Sequence, residues 1–292
     1  MLDRAHRCAL AAAARGDEML GTAFPAARVL LVEQPGGWGF GGLAGSQFGA
    51  AVAERLIATF GRQGARVLAI RRPGRQPEPE RRSWAFADCR PGRQAMVWGD
   101  YRDPADLLAL DPAALAGAVH DRRPVYAACA HGVRDQCCAI DGRPVAAELA
   151  RLAPDRGWEC SHLGGDRFAP NVLVLPTGQL YGRLTDPAGL VAATEAGRTV
   201  PDRLRGQVGL PAAAQAAVVH ARRELGLLEV TAVGVLEVTG EPPDVQLVRL
   251  ALPDGSATVA VQRVTGAPAM MTCRDHKAKV PISYRPLWLR TD

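Results

Sequence analysis

The chain has 292 residues, 48% of them hydrophobic and 22% charged, which suffices for two domains or one large one and argues against global disorder. Its 35 basic and 30 acidic residues leave a net charge of +5, spread out and without any Lys/Arg run interleaved with aromatics, so nucleic-acid binding is not expected. No apolar run approaches the roughly 20 residues of a membrane helix. Asp3, Asp17 and Glu18 interrupt the first apolar patch, which reads as an amphipathic helix and not as a signal peptide. A cytoplasmic protein without membrane contact is expected. In that compartment seven cysteines, an odd number, are more readily metal-bound or redox-active than paired as disulfides.

In chain order, a helix and a linker around Pro25 lead to a buried strand, Arg28–Glu33. The loop QPGGWGFGGLAG follows; it lacks Gly-Lys-Ser/Thr and matches no phosphate-binding fingerprint. Ser46 is the expected N-cap of a helix to Phe60, with Phe48, Val52, Leu56 and Phe60 on one stripe. Ala65–Ile70 is the next strand, and the segment RRPGRQPEPERR is polar and exposed. Ser83–Cys89 and Gln94–Gly99 form a hairpin around Pro91-Gly92, and Asp103-Pro104 opens a helix.

From Val125 the order recurs. Val125–Ala128 is a strand, a cysteine-bearing loop follows, and Arg143–Leu152 is a helix. Gly157–His162 is a strand. Asn171–Leu175 and Gln179–Gly182 form a hairpin around Thr177-Gly178, and Asp186-Pro187 opens the closing helix. Trp98-Gly99 followed three residues later by Asp103-Pro104 matches Tyr181-Gly182 followed by Asp186-Pro187, an internal duplication with a period of about 83 residues. A strand–helix–strand, hairpin, helix unit of this size is the thioredoxin-like pattern. The first copy holds only Cys89 and reads as degenerate. Beyond residue 200, Pro211–Leu225 is an alanine-rich helix, and Glu229–Thr239, Val245–Leu252 and Ala257–Val264 alternate like antiparallel strands. The tail TCRDHKAKVPISYRPLWL carries Cys273 and His276.

The chemistry concentrates between Val125 and Pro187, which hold four of the seven cysteines and two of the six histidines. Cys129/His131/Cys137/Cys138 and Cys160/His162, with Asp166 close behind, pair soft sulfur with imidazole, a donor set for a metal or an iron–sulfur group. Cys129 lies where its strand ends, the edge of an α/β sheet at which sites form. Cys160 and His162 alternate along one strand and share a face. Gly164-Gly165 let the backbone wrap closely before Asp166. By chemistry alone Cys137 and Cys138 are nearly equal candidates. Cys8, Cys89 and Cys273 read as small buried hydrophobes. His131 reads as a local hydrogen-bonding residue, and Arg134 and Asp135 as a loop-shaping pair. His6, His120 and His220 are placed on the surface.

The segment CAHGVRDQCC…GRP…WECSHLGGDRFAPNVLVLPTGQLYGRL resembles the sucrase/ferredoxin-like family, whose characteristic half is a thioredoxin-like [2Fe–2S] ferredoxin. The likeness is specific over about 120–190. It extends more loosely through RVLLVEQPG and TCRDH. It implies two cysteine ligands after the first strand of the unit and a second pair, four positions apart, ahead of an Ala-Pro. Relatives carry histidines at the second pair; here His162 keeps the pattern and Asp166 departs from it. The family's Arg-Asp, two residues, Cys spacing lands on Cys138 from Arg134-Asp135. The implied ligands are therefore Cys129, Cys138, His162 and Cys160, with Cys137 and Asp166 as alternates. Replacing a thiolate by neutral imidazole is expected to raise the reduction potential and to couple electron transfer to protonation.

These readings lead to an α/β chain of tandem thioredoxin-like domains, a degenerate one over 1–118 and a ferredoxin-like one over 119–200, followed by a helix and antiparallel β extension over 201–292. The expected function is that of a [2Fe–2S] electron carrier serving redox protein partners, with no catalytic residues of its own. A thioredoxin-type thiol oxidoreductase using Cys129, Cys137 and Cys138 and a zinc-binding interaction module are the alternatives.

Overall fold

The computed structural model describes residues 7–75, 79–242 and 244–292. Two sheets and six α-helices make a mixed α/β protein among these residues. The larger sheet has nine strands: β1 (Arg28–Glu33), β2 (Ala65–Arg71), β3 (Arg82–Asp88), β4 (Ala95–Tyr101), β5 (Val125–Cys129), β6 (Gly157–Cys160), β7 (Val172–Leu175), β8 (Gln179–Tyr181) and β9 (Leu204–Gln207). They lie in the order β4-β3-β1-β2-β6-β5-β7-β8-β9.

The order repeats itself about its middle. β1 runs parallel to β2 and antiparallel to β3, and β3 pairs antiparallel with β4. β5, β6, β7 and β8 reproduce the same neighbours and senses. The two sets meet where β2 pairs antiparallel with β6, through Ile70 opposite Cys160. Asp103 and Asp186, the residues of the repeated Asp-Pro, both cap the element that follows the hairpin.

β1 and β5 are buried on both faces, which is why each reads as a continuous apolar run. Leu30 and Val32 pack with Leu56 and Phe60 of α2 (Ala50–Gly61). Tyr126 and Ala128 pack with Val145, Ala146 and Leu149 of α4 (Gln136–Leu152). The opposite faces, Val29 and Leu31 from β1 with Ala127 and Cys129 from β5, share one cluster that also holds Trp158 and Leu173. The second sheet is antiparallel, β10 (Gly234–Thr239), β11 (Val245–Leu252), β12 (Gly255–Thr265) and β13 (Ile282–Thr291) in sequential order. Helix α6 (Ala212–Leu225) packs on β9 and on this sheet; its small alanines are buried nearly all round.

The structure departs from the sequence expectations in several places. Helix α4 begins at Gln136 and not at Arg143, so Cys137 and Cys138 stand in its first turn and not in a loop. Gly142 and Pro144 read as helix breakers, yet the Asp135 side chain caps the helix at Cys137 N and tertiary packing carries it through them. Ser46 caps a turn, accepting from Phe48 N, while the N-cap position of α2 is Gly49. Asp103-Pro104 opens a 3-10 helix, Pro104–Ala109, and a separate α3 (Pro112–Ala118) follows behind Asp111. Strands β9 and β13 were not anticipated. Of the polar segment 71–82, residues 76–78 lie outside the described residues, as do Asp3 and His6. Within the expected N-terminal helix, α1 covers Cys8–Ala14.

Candidate metal centre

The sulfurs of Cys129 and Cys138 and a ring nitrogen of His162 all lie within 4.8 Å of one another. Three local features bring them there. Cys129 is the last residue of β5, held by its N–H on Asn171 O and by Ala130 N–H on Cys160 O. Cys138 stands in the first turn of α4 because Asp135 caps that turn. His162 follows the end of β6, tied down by Arg66, whose guanidinium donates to its carbonyl at 2.6 Å.

Asp166 completes the group. Gly164 and Gly165, at φ +81° and +70°, turn the chain so that Asp166 opens a 3-10 turn facing back toward His162. Its Oδ1 accepts from Cys138 Sγ at 3.2 Å and lies 3.1 Å from His162 Nδ1. That approach lacks hydrogen-bond alignment, so the buried Nδ1 has no hydrogen-bond partner.

The charge state of the group is set by its own members. The Cys129 and Cys138 sulfurs face each other, and this holds Cys129 well below its ordinary value against the cost of burial, while the Cys129 sulfur, burial and Asp166 together raise Cys138 well above its own. For His162 burial works downward, but Asp166 and the Cys129 sulfur outweigh it and raise the imidazole to about 9. A cation bound here displaces those protons.

Arg205 of β9 underpins the loop. It is buried, and it donates to Gly164 O at 2.9 Å, Asn171 Oδ1 at 2.7 Å, Thr22 Oγ1 at 3.1 Å and Thr22 O at 2.6 Å. Asn171 in turn donates to Gly165 O at 3.0 Å. Burial lowers the guanidinium to about 9, still a cation at neutral pH beside the carboxylate and the sulfurs. Nothing in the local sequence LRGQ announces this role.

The His162 side chain keeps 23% exposure, and it reaches solvent through a pocket of about 190 Å³ lined by Phe40, Arg66, His131 and Arg134. His131 is a local hydrogen-bonding residue, as expected, its Nε2 2.6 Å from Gly39 O. A larger cleft of about 610 Å³, lined by Arg71, Arg72, Arg75 and Arg143, contains none of the converging donors.

Cys160 does not join the group. It is Cys129's partner across the parallel β5–β6 ladder and is wholly buried. β6 ends at Cys160, so the strand alternation that would have set it on one face with His162 does not carry through. Cys137 turns away from Cys138 into a second buried group with Cys8, Asp135 and Cys273, whose donor atoms also lie within 4.8 Å of one another. Cys8 and Cys273 are buried, as read from the sequence, but not isolated. Asp135 caps α4 and does not pair with Arg134, whose guanidinium stacks on Phe40. His276 is exposed and belongs to neither group. Both groups offer the soft and borderline donors that can hold a metal ion. No helix among the described residues is long and apolar enough to cross a membrane.

Compared with known protein families, residues 54–206 match the family described as sucrase/ferredoxin-like. No curated protein and no solved structure matches the chain.

Proposed function

Since the chain belongs to the sucrase/ferredoxin-like family, we propose that it is a one-electron carrier whose [2Fe–2S] cluster is held by Cys129, Cys138, His162 and Asp166. The observation that carries this reading is the convergence of two sulfurs and an imidazole on one point, beside a carboxylate. The donor set fits such a group: two buried sulfurs and an imidazole within 4.8 Å of one another, with the His162 Nδ1 facing the Asp166 carboxylate at 3.1 Å without an aligned hydrogen bond. Asp166 replaces Cys160 as the fourth donor because it touches both Cys138 and His162. A bound cluster supplies one-electron redox chemistry at this point. The chain's own residues hold the group's shape, keep water from the sulfurs, and leave one edge, His162, open to solvent.

Arg66, Arg134 and His131 rim that opening, which suits a redox partner with an acidic docking face. The two four-strand sets are read as tandem thioredoxin-like units, supported by their shared order and senses. A reducing, cytoplasmic setting agrees with seven unpaired cysteines. Thiol–disulfide exchange is disfavoured because every cysteine is buried.

The test is purification without oxygen, followed by a visible spectrum with iron and acid-labile sulfide assays. A red-brown protein with about two irons and two sulfides per chain, bleached by dithionite, is expected. A colourless protein that holds only zinc at Cys129 and Cys138 would replace the electron carrier with a structural zinc module.

A further inference from the structure

Cys8, Cys137, Cys273 and Asp135 come from three distant parts of the chain. Cys8 opens α1, Asp135 and Cys137 begin α4, and Cys273 lies in the loop between β12 and β13. Their side chains meet in the interior, at 0%, 0%, 9% and 0% exposure respectively. The Cys273 sulfur lies 3.4 Å from Cys137 Sγ and 3.4 Å from Cys8 Sγ. Both Asp135 carboxylate oxygens lie 3.6 Å from Cys8 Sγ.

We propose that these four side chains form a second metal site, separate from the first, that takes a single zinc ion and fastens α1 and the β12–β13 loop to the start of α4. A tetrahedral ion with metal–sulfur bonds of about 2.3 Å needs sulfurs roughly 3.8 Å apart, close to the spacing found. Three thiolates and a carboxylate are the donors of a borderline-soft divalent ion. Asp135 arranges its own neighbours: one oxygen accepts from Cys137 N at 2.8 Å and the other from Cys273 N at 2.7 Å. Two of the three cysteines are thereby positioned by the residue that supplies the fourth donor. Arg7 donates its Nε to Cys137 Sγ at 3.4 Å, while its Nη2 is paired with Asp141 at 2.7 Å, which offsets part of the negative charge of the site.

Simple hydrophobic packing does not account for the group. The two backbone N–H groups account for the buried Asp135 carboxylate, but not for three sulfurs from distant parts of the chain brought to within 3.4 Å of one another in series beside it. A disulfide would use two of the three sulfurs and strand the third. Although Cys137 and Cys138 are adjacent, they leave the helix about 100° apart, so the two sites share no donor.

The test uses the full chain. The Cys129→Ser/Cys138→Ser variant removes the first site's sulfurs and is expected to lose iron while keeping about one zinc per chain. The Cys8→Ser/Cys273→Ser variant is expected to do the reverse. Cobalt(II) added to metal-free Cys129→Ser/Cys138→Ser protein should give thiolate-to-metal charge-transfer and tetrahedral ligand-field bands, and zinc should displace them. This titration decides the matter even if the Cys8→Ser/Cys273→Ser variant does not fold. Cobalt that gives no such bands, with the three thiols reacting freely, would overturn the second site; so would zinc content unchanged by Cys8→Ser/Cys273→Ser. Iron and zinc are counted separately, so failure here is distinguishable from failure of the electron-carrier reading.

Discussion

Gly142 of α4 sits so close to Cys129 that a Cβ added to it would fall 2.0 Å from the Cys129 carbonyl oxygen. The helix that carries Cys138 and the strand end that carries Cys129 are in backbone contact, with no room for a side chain between them. Gly142→Ala is therefore expected to push the two cysteines apart. Overpacking of this kind costs about 1–3 kcal/mol, and iron bound per chain should fall with it. Gly117 in α3 faces open space, and Gly117→Ala should leave iron content unchanged and stability level or higher by up to about 1 kcal/mol. Thermal midpoints and iron assays on the two variants check the contrast.

The fourth donor is decided by two substitutions. Asp166→Ala removes the carboxylate that touches both Cys138 and His162, and it should abolish or strongly weaken cluster binding. A merely supporting partner would weaken it only about 10–100-fold. Cys160→Ser should keep the cluster and its spectrum, at a cost in stability from a buried hydroxyl. Asp166→His, which restores the pattern expected of relatives, should bind iron and raise the reduction potential. Visible and electron paramagnetic resonance spectra of the three proteins give the answer.

Arg205 makes four hydrogen bonds, one to Gly164 O in the His162–Asp166 loop, one to Asn171, which itself holds Gly165 O, and two to Thr22. Arg205→Met leaves Asn171 Oδ1 and the carbonyls of Gly164 and Thr22 without their donor. A loss of about 1–3 kcal/mol is expected, measured as a lower urea midpoint. Gly165→Ala should behave alike, since its Cβ would fall on the Arg205 guanidinium and its φ is +70°.

Asp88 gives a pH-dependent term outside both cysteine groups. Burial works to raise its pKa, but hydrogen bonds from Arg90, with Nε 2.9 Å from Oδ1, and the more distant Arg28 outweigh it and hold the carboxyl below its ordinary value. A depressed native pKa stabilises above the unfolded value of about 3.9 and stops doing so as pH falls through the native one. Asp88→Asn should therefore cost about 1 kcal/mol at neutral pH, discounted because Arg90 is partly exposed. The difference from the parent should narrow below about pH 4 and vanish once the pH lies under the native value. Denaturation curves from pH 7 downward test this.

What the sequence disclosed was what short-range chemistry controls. The apolar runs of β1 and β5, the hairpins and the repeated Asp-Pro caps were readable because burial pattern and turn residues are local. Cys129 and His162 were readable as members of two local clusters, whereas Cys138 was set apart from Cys137 only by the resemblance to the family, and the structure brings the three together. The first turns of α4 were lost because Pro144 suits the start of a helix at Arg143 and Gly142 before it reads as loop, and only the tertiary contact with Cys129 explains the glycine. Strand β9 holds Arg and Gly in four residues and gave no alternation to read. The meeting of Cys8 with Cys273 spans 265 positions, beyond the reach of any motif, although the Asp135 cap beside Cys137 was the local half of the signal.

The second cysteine group also imposes an order in time. Ribosomes extend a chain at about 5–20 residues per second, so the 136 positions from Cys137 to Cys273 take about 7–27 s and those from Cys8 longer still. Until it arrives, Cys8 and Cys137 lack the sulfur that lies 3.4 Å from each of them in the folded chain. A nascent chain halted before Cys273 would present those thiols and the unsealed interior to chaperones and proteases, while a finished one hides them.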